Sequence, residues 1–334
     1  MKKILGTCAW TVGTLLATGT GSVAQQAKDT KPAGVEETAG PRLRVRFLET
    51  RLTGDKAATV QLALLTLHTG DKSANVFVGT QVALRTSDRG TPTVTFKNAG
   101  VQAKVSAQTL PGNRYRLEAS FEKASVLAAT GPTATHSNGD NPVLQVVKGE
   151  SRIVLREGAT VPFASAVDPV TGEVVRVDIA VDAVPVPQSA SAAGSEDEQL
   201  RVRFVLNRRH GERKLASRPY SVIVQTGEEK PANVFSGAML PLEVSYQGQP
   251  TVMLKDVGAG VRLGAQRIAD GRYRLDLSVS DGSLGGANGS PRVQAFQAES
   301  RLYLREGETV VVASGVDPEN GDVVEAEVAI EIVR

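Results

Sequence analysis

Arginine is the residue type whose spacing in this chain most readily suggests chemistry. Arg114 and Arg116, Arg152 and Arg156, Arg272 and Arg274, and Arg301 and Arg305 all alternate with apolar residues. On a strand, that spacing puts the guanidinium groups on one face. Such a face could capture an anionic ligand or an acidic partner. Interleaved Glu118, Glu150, Asp276 and Glu299 could equally neutralise it, leaving a solvated surface with no task.

Catalytic chemistry is poorly represented. The three histidines are His68, His136 and His210, and none has a cysteine or histidine at metal-ligand spacing. No Gly-x-Ser-x-Gly elbow or phosphate loop occurs. Asp317, Glu319 and Asp322 in "DPENGD" suggest a calcium loop, but Gly321 sits one place early for it. Asn288-Gly289-Ser290 has the form of a glycosylation acceptor within a Gly-rich loop. The expectation is a protein that is not an enzyme and needs no cofactor or metal.

The elements that position the arginines come in two copies. "LRVRF" occurs at 43–47 and 200–204, and "ANVF" at 74–77 and 232–235. "RYRL" stands at 114–117 and 272–275. "ESRIVLREGATVPF" at 150–163 matches "ESRLYLREGETVVV" at 299–312, and Val167-Asp168-Pro169 matches Val316-Asp317-Pro318. The offset falls from 157–158 residues to 149, so the first copy carries about nine extra residues in its Gly/Thr-rich stretch before Pro142.

Within each copy the hydrophobic period is two. Leu43, Val45 and Phe47 alternate with Arg44 and Arg46, and Tyr273, Leu275, Leu277 and Val279 with polar neighbours. Val, Ile and Thr abound, and turn residues punctuate the runs. This predicts an all-β chain of two tandem homologous β-sandwich or rolled-sheet domains joined by a flexible linker, with seven or eight strands per copy. LREG then reads as a turn: Ile153 and Leu155, or Leu302 and Leu304, point inward, Gly158 or Gly307 supplies a positive φ, and a return strand follows. Asp168-Pro169 and Asp317-Pro318 open a second turn, where Asp accepts backbone donors and Pro presets φ.

Residues 1–24 read as an export signal, with Lys2 and Lys3 ahead of a short apolar run and Ser22-Val23-Ala24 at the cleavage point. Segments 25–41 and 185–199 are Pro/Ala/Ser/Glu-rich linkers, bounding β domains at 42–184 and 200–334. The whole chain carries 38 Lys+Arg against 36 Asp+Glu, and loss of Lys2 and Lys3 leaves it balanced. That removes the electrostatic case for nucleic acid. Cys8, the only cysteine, lies in the export segment, so the exported chain holds together without disulfides.

The second copy resembles the C-terminal core domain of bacterial secretins of type II and type III secretion and type IV pilus systems. Val234, Gly237 and Pro241 fit the first family strand, Asp256, Val257 and Gly258 the second, and Asp270-Gly271 the following turn. Gly307, Thr309, Val310, Val311 and Gly315 fit the closing segment, with Ala313-Ser314 interrupting its Ile-Gly-Gly signature. The first copy matches through Val78-Gly79 and Asn98-Ala99-Gly100. The resemblance implies the β topology, export, and ring-forming or docking surfaces. Secretins carry one core behind several small periplasmic domains, whereas two cores stand in tandem here. The aromatic content of 4% and the lack of an apolar-out strand register speak against a transmembrane pore. The reading that results is a structural scaffold or adaptor of the bacterial envelope, periplasmic, outer-membrane associated or secreted. It would bind an envelope or secretion-system protein, or itself. The alternative is a periplasmic binding module that uses the arginine face or the long loop for an anionic ligand.

Overall fold

In the computed structural model, the described residues are 40–333, apart from 54–55, 89–90, 128–142, 168–173, 186–197, 229, 247–248, 269 and 286–291. The export segment, most of both linkers, His136, the Asp168-Pro169 turn and the Asn288 site lie outside them. Every regular element among the described residues is a strand. In copy 1 these are β1 (Arg42–Thr53), β2 (Lys56–His68), β3 (Ala74–Asp88), β4 (Thr91–Leu110), β5 (Arg114–Leu127), β6 (Val143–Arg156), β7 (Thr160–Val167) and β8 (Val174–Val184). Copy 2 supplies β9 (Gln199–His210), β10 (Arg213–Gln225), β11 (Ala232–Tyr246), β12 (Gln249–Arg267), β13 (Tyr273–Gly285), β14 (Arg292–Leu304), β15 (Thr309–Val316) and β16 (Asp322–Ile332).

The alternating pattern explains these strands directly. Leu43, Val45 and Phe47 are wholly buried and their equivalents Leu200, Val202 and Phe204 nearly so, while Arg201 and Arg203 between the latter are exposed. Two eight-stranded antiparallel sheets result, with orders β10-β9-β16-β15-β2-β1-β8-β7 and β11-β12-β13-β14-β3-β4-β5-β6. Each copy thus gives four strands to each sheet in the same internal order, as a sandwich would. The sheets run on from copy 2 into copy 1, and buried side chains of both copies belong to one core.

Two consequences qualify the sequence reading. The repeat predicts one domain per copy, and strand pairing joins the buried side chains of the two in a continuous core. LREG reads as a hairpin turn, and Gly158 and Gly307 do sit at φ 74° and 77°. Yet the strands it joins lie in different sheets, β6 to β7 and β14 to β15, so the turn carries the chain across the sandwich. The Asp317-Pro318 turn is a true hairpin within one sheet. Asp317 Oδ1 accepts the Glu319 N–H at 3.0 Å, its carbonyl accepts the Gly321 N–H at 2.8 Å, and Gly321 has φ 75°. Burial raises the Asp317 pKa against the opposing backbone hydrogen bond.

Candidate functional site: the joint between the copies

The most elaborate side-chain chemistry lies where copy 2 meets copy 1. Two strand pairings form the joint: β14 with β3, from Val293↔Gln81 to Glu299↔Asn75, and β15 with β2, from Ala313↔Leu65 to Gly315↔Ala63. Arg42, at the start of β1, is buried there. Its Nη1 donates to Glu308 Oε1 at 2.5 Å, its Nη2 to the Tyr303 carbonyl at 2.7 Å, and its Nε faces His68 Nε2 at 3.4 Å. Glu308 Oε2 also accepts the Arg305 N–H, so the carboxylate is held from both sides.

His68 completes the cluster. Its Nδ1 contacts the Gly40 carbonyl at 2.9 Å, which places the ring proton on Nδ1 and leaves Nε2 to accept from Arg42. Burial pushes its pKa down to about 4, helped by the Arg42 and Arg272 charges and opposed by the Gly40 hydrogen bond and Glu308. The ring packs edge-on against Tyr303, 4.9 Å between centroids, and Arg272 lies over the same tyrosine at 5.7 Å. Tyr303 OH donates to Asp71 Oδ1 at 3.1 Å.

Smaller contacts set the register. Thr66 Oγ1 donates to the Val311 carbonyl at 2.6 Å, Ser300 Oγ to the Thr66 carbonyl at 2.8 Å, and Asn75 Nδ2 to Glu299 Oε2 at 2.9 Å. Gly315 is required by space: a Cβ there would stand 2.5 Å from Val78 Cγ2.

The arginines that the sequence singles out are divided among different surroundings. The RYRL and SRLYLR strands are neighbours, as the ladder requires, with Asp276 opposite Arg301 and Glu118 opposite Arg152. The LRVRF arginines lie in the other sheet, where Arg46 pairs with Asp182, and Arg201 and Arg203 with Glu331. In copy 2, Arg301 Nε donates to Asp276 at 2.7 Å and Nη1 to Asp71 at 3.4 Å. Burial works against its charge, but the two carboxylates outweigh it and raise its pKa. Arg272 donates to Asp270, and Arg274 lies 3.6 Å from Asp276. In copy 1, Arg152 is 67% exposed against 13% for its counterpart Arg301, and pairs with Glu118. Arg116 reaches Gln108, Arg114 Nε donates to the Pro111 carbonyl, and Arg114 stands directly opposite Arg156. Above these strands is an open groove of about 690 Å³, where Lys104, Lys148 and Arg152 are matched by Glu118, Glu122 and Glu150.

Sequence reasoning missed Arg42, Glu308 and Asp71, and weighed His68 only as a metal or catalytic group. For three of these four the signal was present as differences between the copies: Gln199, Gln225 and Ala159 stand at the positions equivalent to Arg42, His68 and Glu308, whereas Glu228 matches Asp71 in charge. No group of metal-ligating side chains occurs among the described residues.

No family model matches the sequence, and no curated protein does. Among solved structures, the chain is similar to a chain of the ETEC pilotin–secretin AspS–GspD complex, at 9% identity and a TM-score of 0.30, covering 88% of this chain and 50% of that one. The type II secretion system secretin GspD of E. coli K12 gives 11% identity and a TM-score of 0.29, with 89% and 50% covered. The V. cholerae type IV competence pilus secretin PilQ gives 14% and 0.25, with 88% and 61% covered. The chain spans about half the length of the first two.

Proposed function

We propose that the chain is an exported, non-enzymatic scaffold of the bacterial envelope that works by assembly. The observation that supports it is the way the copies join. Two homologous units add edge to edge through both sheets, and the outermost strands of each sheet, β10 and β7 in one and β11 and β6 in the other, end the strand order with no neighbour among the described residues. A sheet edge left this way presents unpaired backbone donors and acceptors, a template for another strand. The motifs shared with secretin cores, Val234, Gly237 and Pro241 and then Asp256-Val257-Gly258, agree with that role. Light scattering on the purified chain tests it. A defined oligomer is expected, and a monomer at all concentrations would refute assembly. Fractionation of expressing cells should place the protein in the envelope.

One observation favours a second reading, capture of an anionic ligand. Arg114 and Arg156 are exposed and directly opposed on neighbouring strands, so two like charges share one patch at the end of the copy 1 ladder. An anion between them would relieve their repulsion.

A further inference from the structure

We infer that successive chains join through the β6–β7 edge of one and the β10–β11 edge of the next, in the register of the internal joint. Two chemically unlike joints would then alternate along the assembly. This rests on the scaffold reading and names its contact surface.

The internal joint shows what a covered edge looks like. β10 and β11 are the copy 2 equivalents of β2 and β3, and β6 and β7 the copy 1 equivalents of β14 and β15. Equivalent residues differ in exposure according to whether a neighbouring copy covers them. Val76 is 1% exposed and Val234 40%; Phe77 is 4% and Phe235 54%; Thr66 is 1% and Ile223, grown more apolar, 55%. On the other edge, Tyr303 is 1% exposed and Val154 50%. Among the described residues, Val146, Val154, Leu215, Ile223, Val234, Phe235 and Met239 are exposed on these outer strands, against Val60, Val174 and Val252 on inner ones. Placed on an edge, such a row marks an interaction surface.

The occupant is a second copy of this chain, because the two open edges are complementary as the covered ones are. Asn75 donates to Glu299 across the internal joint, and Asn233 and Glu150 repeat that pair on the open edges. Internally, Gly315 is forced by Val78; on the open edges Ala166 replaces the glycine and Ser236 the valine, so the added methyl meets a smaller partner. Of the charges buried at the joint, the Arg301–Asp71 pair has equivalents in Arg152 and Glu228, whereas the Arg42–Glu308 pair and His68 have none. Gln199, Gln225, Val154 and Ala159 stand where Arg42, His68, Tyr303 and Glu308 form the cluster. At these four positions the internal joint is ionic and aromatic, and the outer one neutral. Because the contact is head to tail, it closes into a ring or grows into a filament according to its rotation.

Cysteine cross-linking in a Cys8→Ser background tests the register. Glu150→Cys and Asn233→Cys would face each other as Glu299 and Asn75 do. The doubly substituted chain should oxidise into a ladder of covalent multimers. Each single variant should form none, and a mixture of the two singles should stop at dimers. Wild-type assembly without cross-links in the mixture would overturn this joint but leave the scaffold reading standing, and a single variant linking to itself would overturn the head-to-tail geometry. A wild-type monomer would overturn both. A second pair of variants reads the packing. Ser236→Val should raise the concentration for half-assembly roughly tenfold by overfilling the contact. Adding Ala166→Gly, which copies the internal pair, should restore it; equal assembly by all three proteins would overturn the proposal.

Discussion

At the scale of single residues, the chain separates punctuation from chemistry. A Cβ on Gly307 would meet nothing within 4 Å, so its requirement is its φ of +77° alone. Gly307→Val should therefore cost about 1–3 kcal/mol in denaturant unfolding. Glu306→Ala, in the same exposed turn, should change stability by no more than about 0.5 kcal/mol. Glu308, two residues on, is of another kind. It neutralises Arg42, whose side chain is almost wholly buried, and Glu308→Ala should cost on the order of 3–5 kcal/mol because a buried cation is left behind. His68 gives the joint a pH dependence of fixed sign. Unfolded, it takes up a proton near its ordinary value of about 6.5; folded, it resists down to about 4. Protons therefore favour the unfolded state across that window, and stability should fall with acidification by up to about 1.4 kcal/mol per pH unit. His68→Gln, the residue at the equivalent position in copy 2, should flatten the pH 4–6.5 slope relative to wild type in parallel melts. An unchanged slope would show that the imidazole titrates freely in the folded protein.

At the scale of elements, strand identity was legible and strand partnership was not. Leu43, Val45 and Phe47 announce one buried face whatever lies beside them, because a pleated strand alternates by geometry. Which strand lies beside them depends on long-range pairing, which alternation leaves open. LREG shows the same limit, since a glycine at positive φ turns the chain identically whether the next strand pairs with the last or crosses to the opposite sheet. The arginines share one sequence pattern, which by itself predicts one surface. Pairing gives them different fates: Arg301 is tucked between Asp71 and Asp276, while Arg152 faces solvent with Glu118. Neutralisation should therefore act unequally. Arg301→Gln should destabilise by about 1–3 kcal/mol, since it strands carboxylates in a half-buried site, and Arg152→Gln by at most about 1 kcal/mol. Anion binding, if it occurs on copy 1, should be lost in Arg114→Gln/Arg156→Gln without loss of stability. It should also weaken as salt screens exposed charge over about 10 Å at 0.1 M. Binding that survives both would move the anion site off this ladder.

At the scale of the whole molecule, the repeat raises the question of what one copy can do alone. A fragment of residues 199–334 retains all eight copy 2 strands in their native order, four in each sheet, so it should fold by circular dichroism. It should not stay alone. Cutting the chain bares β14 and β15, and with them Tyr303, Phe296, Ala298 and Ala313, which are buried in the intact protein. Two partners could cover that edge: the β10–β11 edge of another fragment, or the β2–β3 edge of a fragment spanning 42–184. Only the second supplies Arg42 for Glu308 and His68 for Tyr303, while Glu228 stands on the first at the position of Asp71. Against Gln199 and Gln225, Glu308 would be buried without a cation, an unfavourable exchange of several kcal/mol. A mixture of the two fragments should therefore form one-to-one complexes in preference to self-associated copy 2, and Glu308→Ala should abolish that preference without blocking self-association. Native mass spectrometry distinguishes the species directly. If copy 2 paired with itself as readily as with copy 1, the buried cluster would contribute stability alone, and the order of copies along an assembly would be set by the covalent chain.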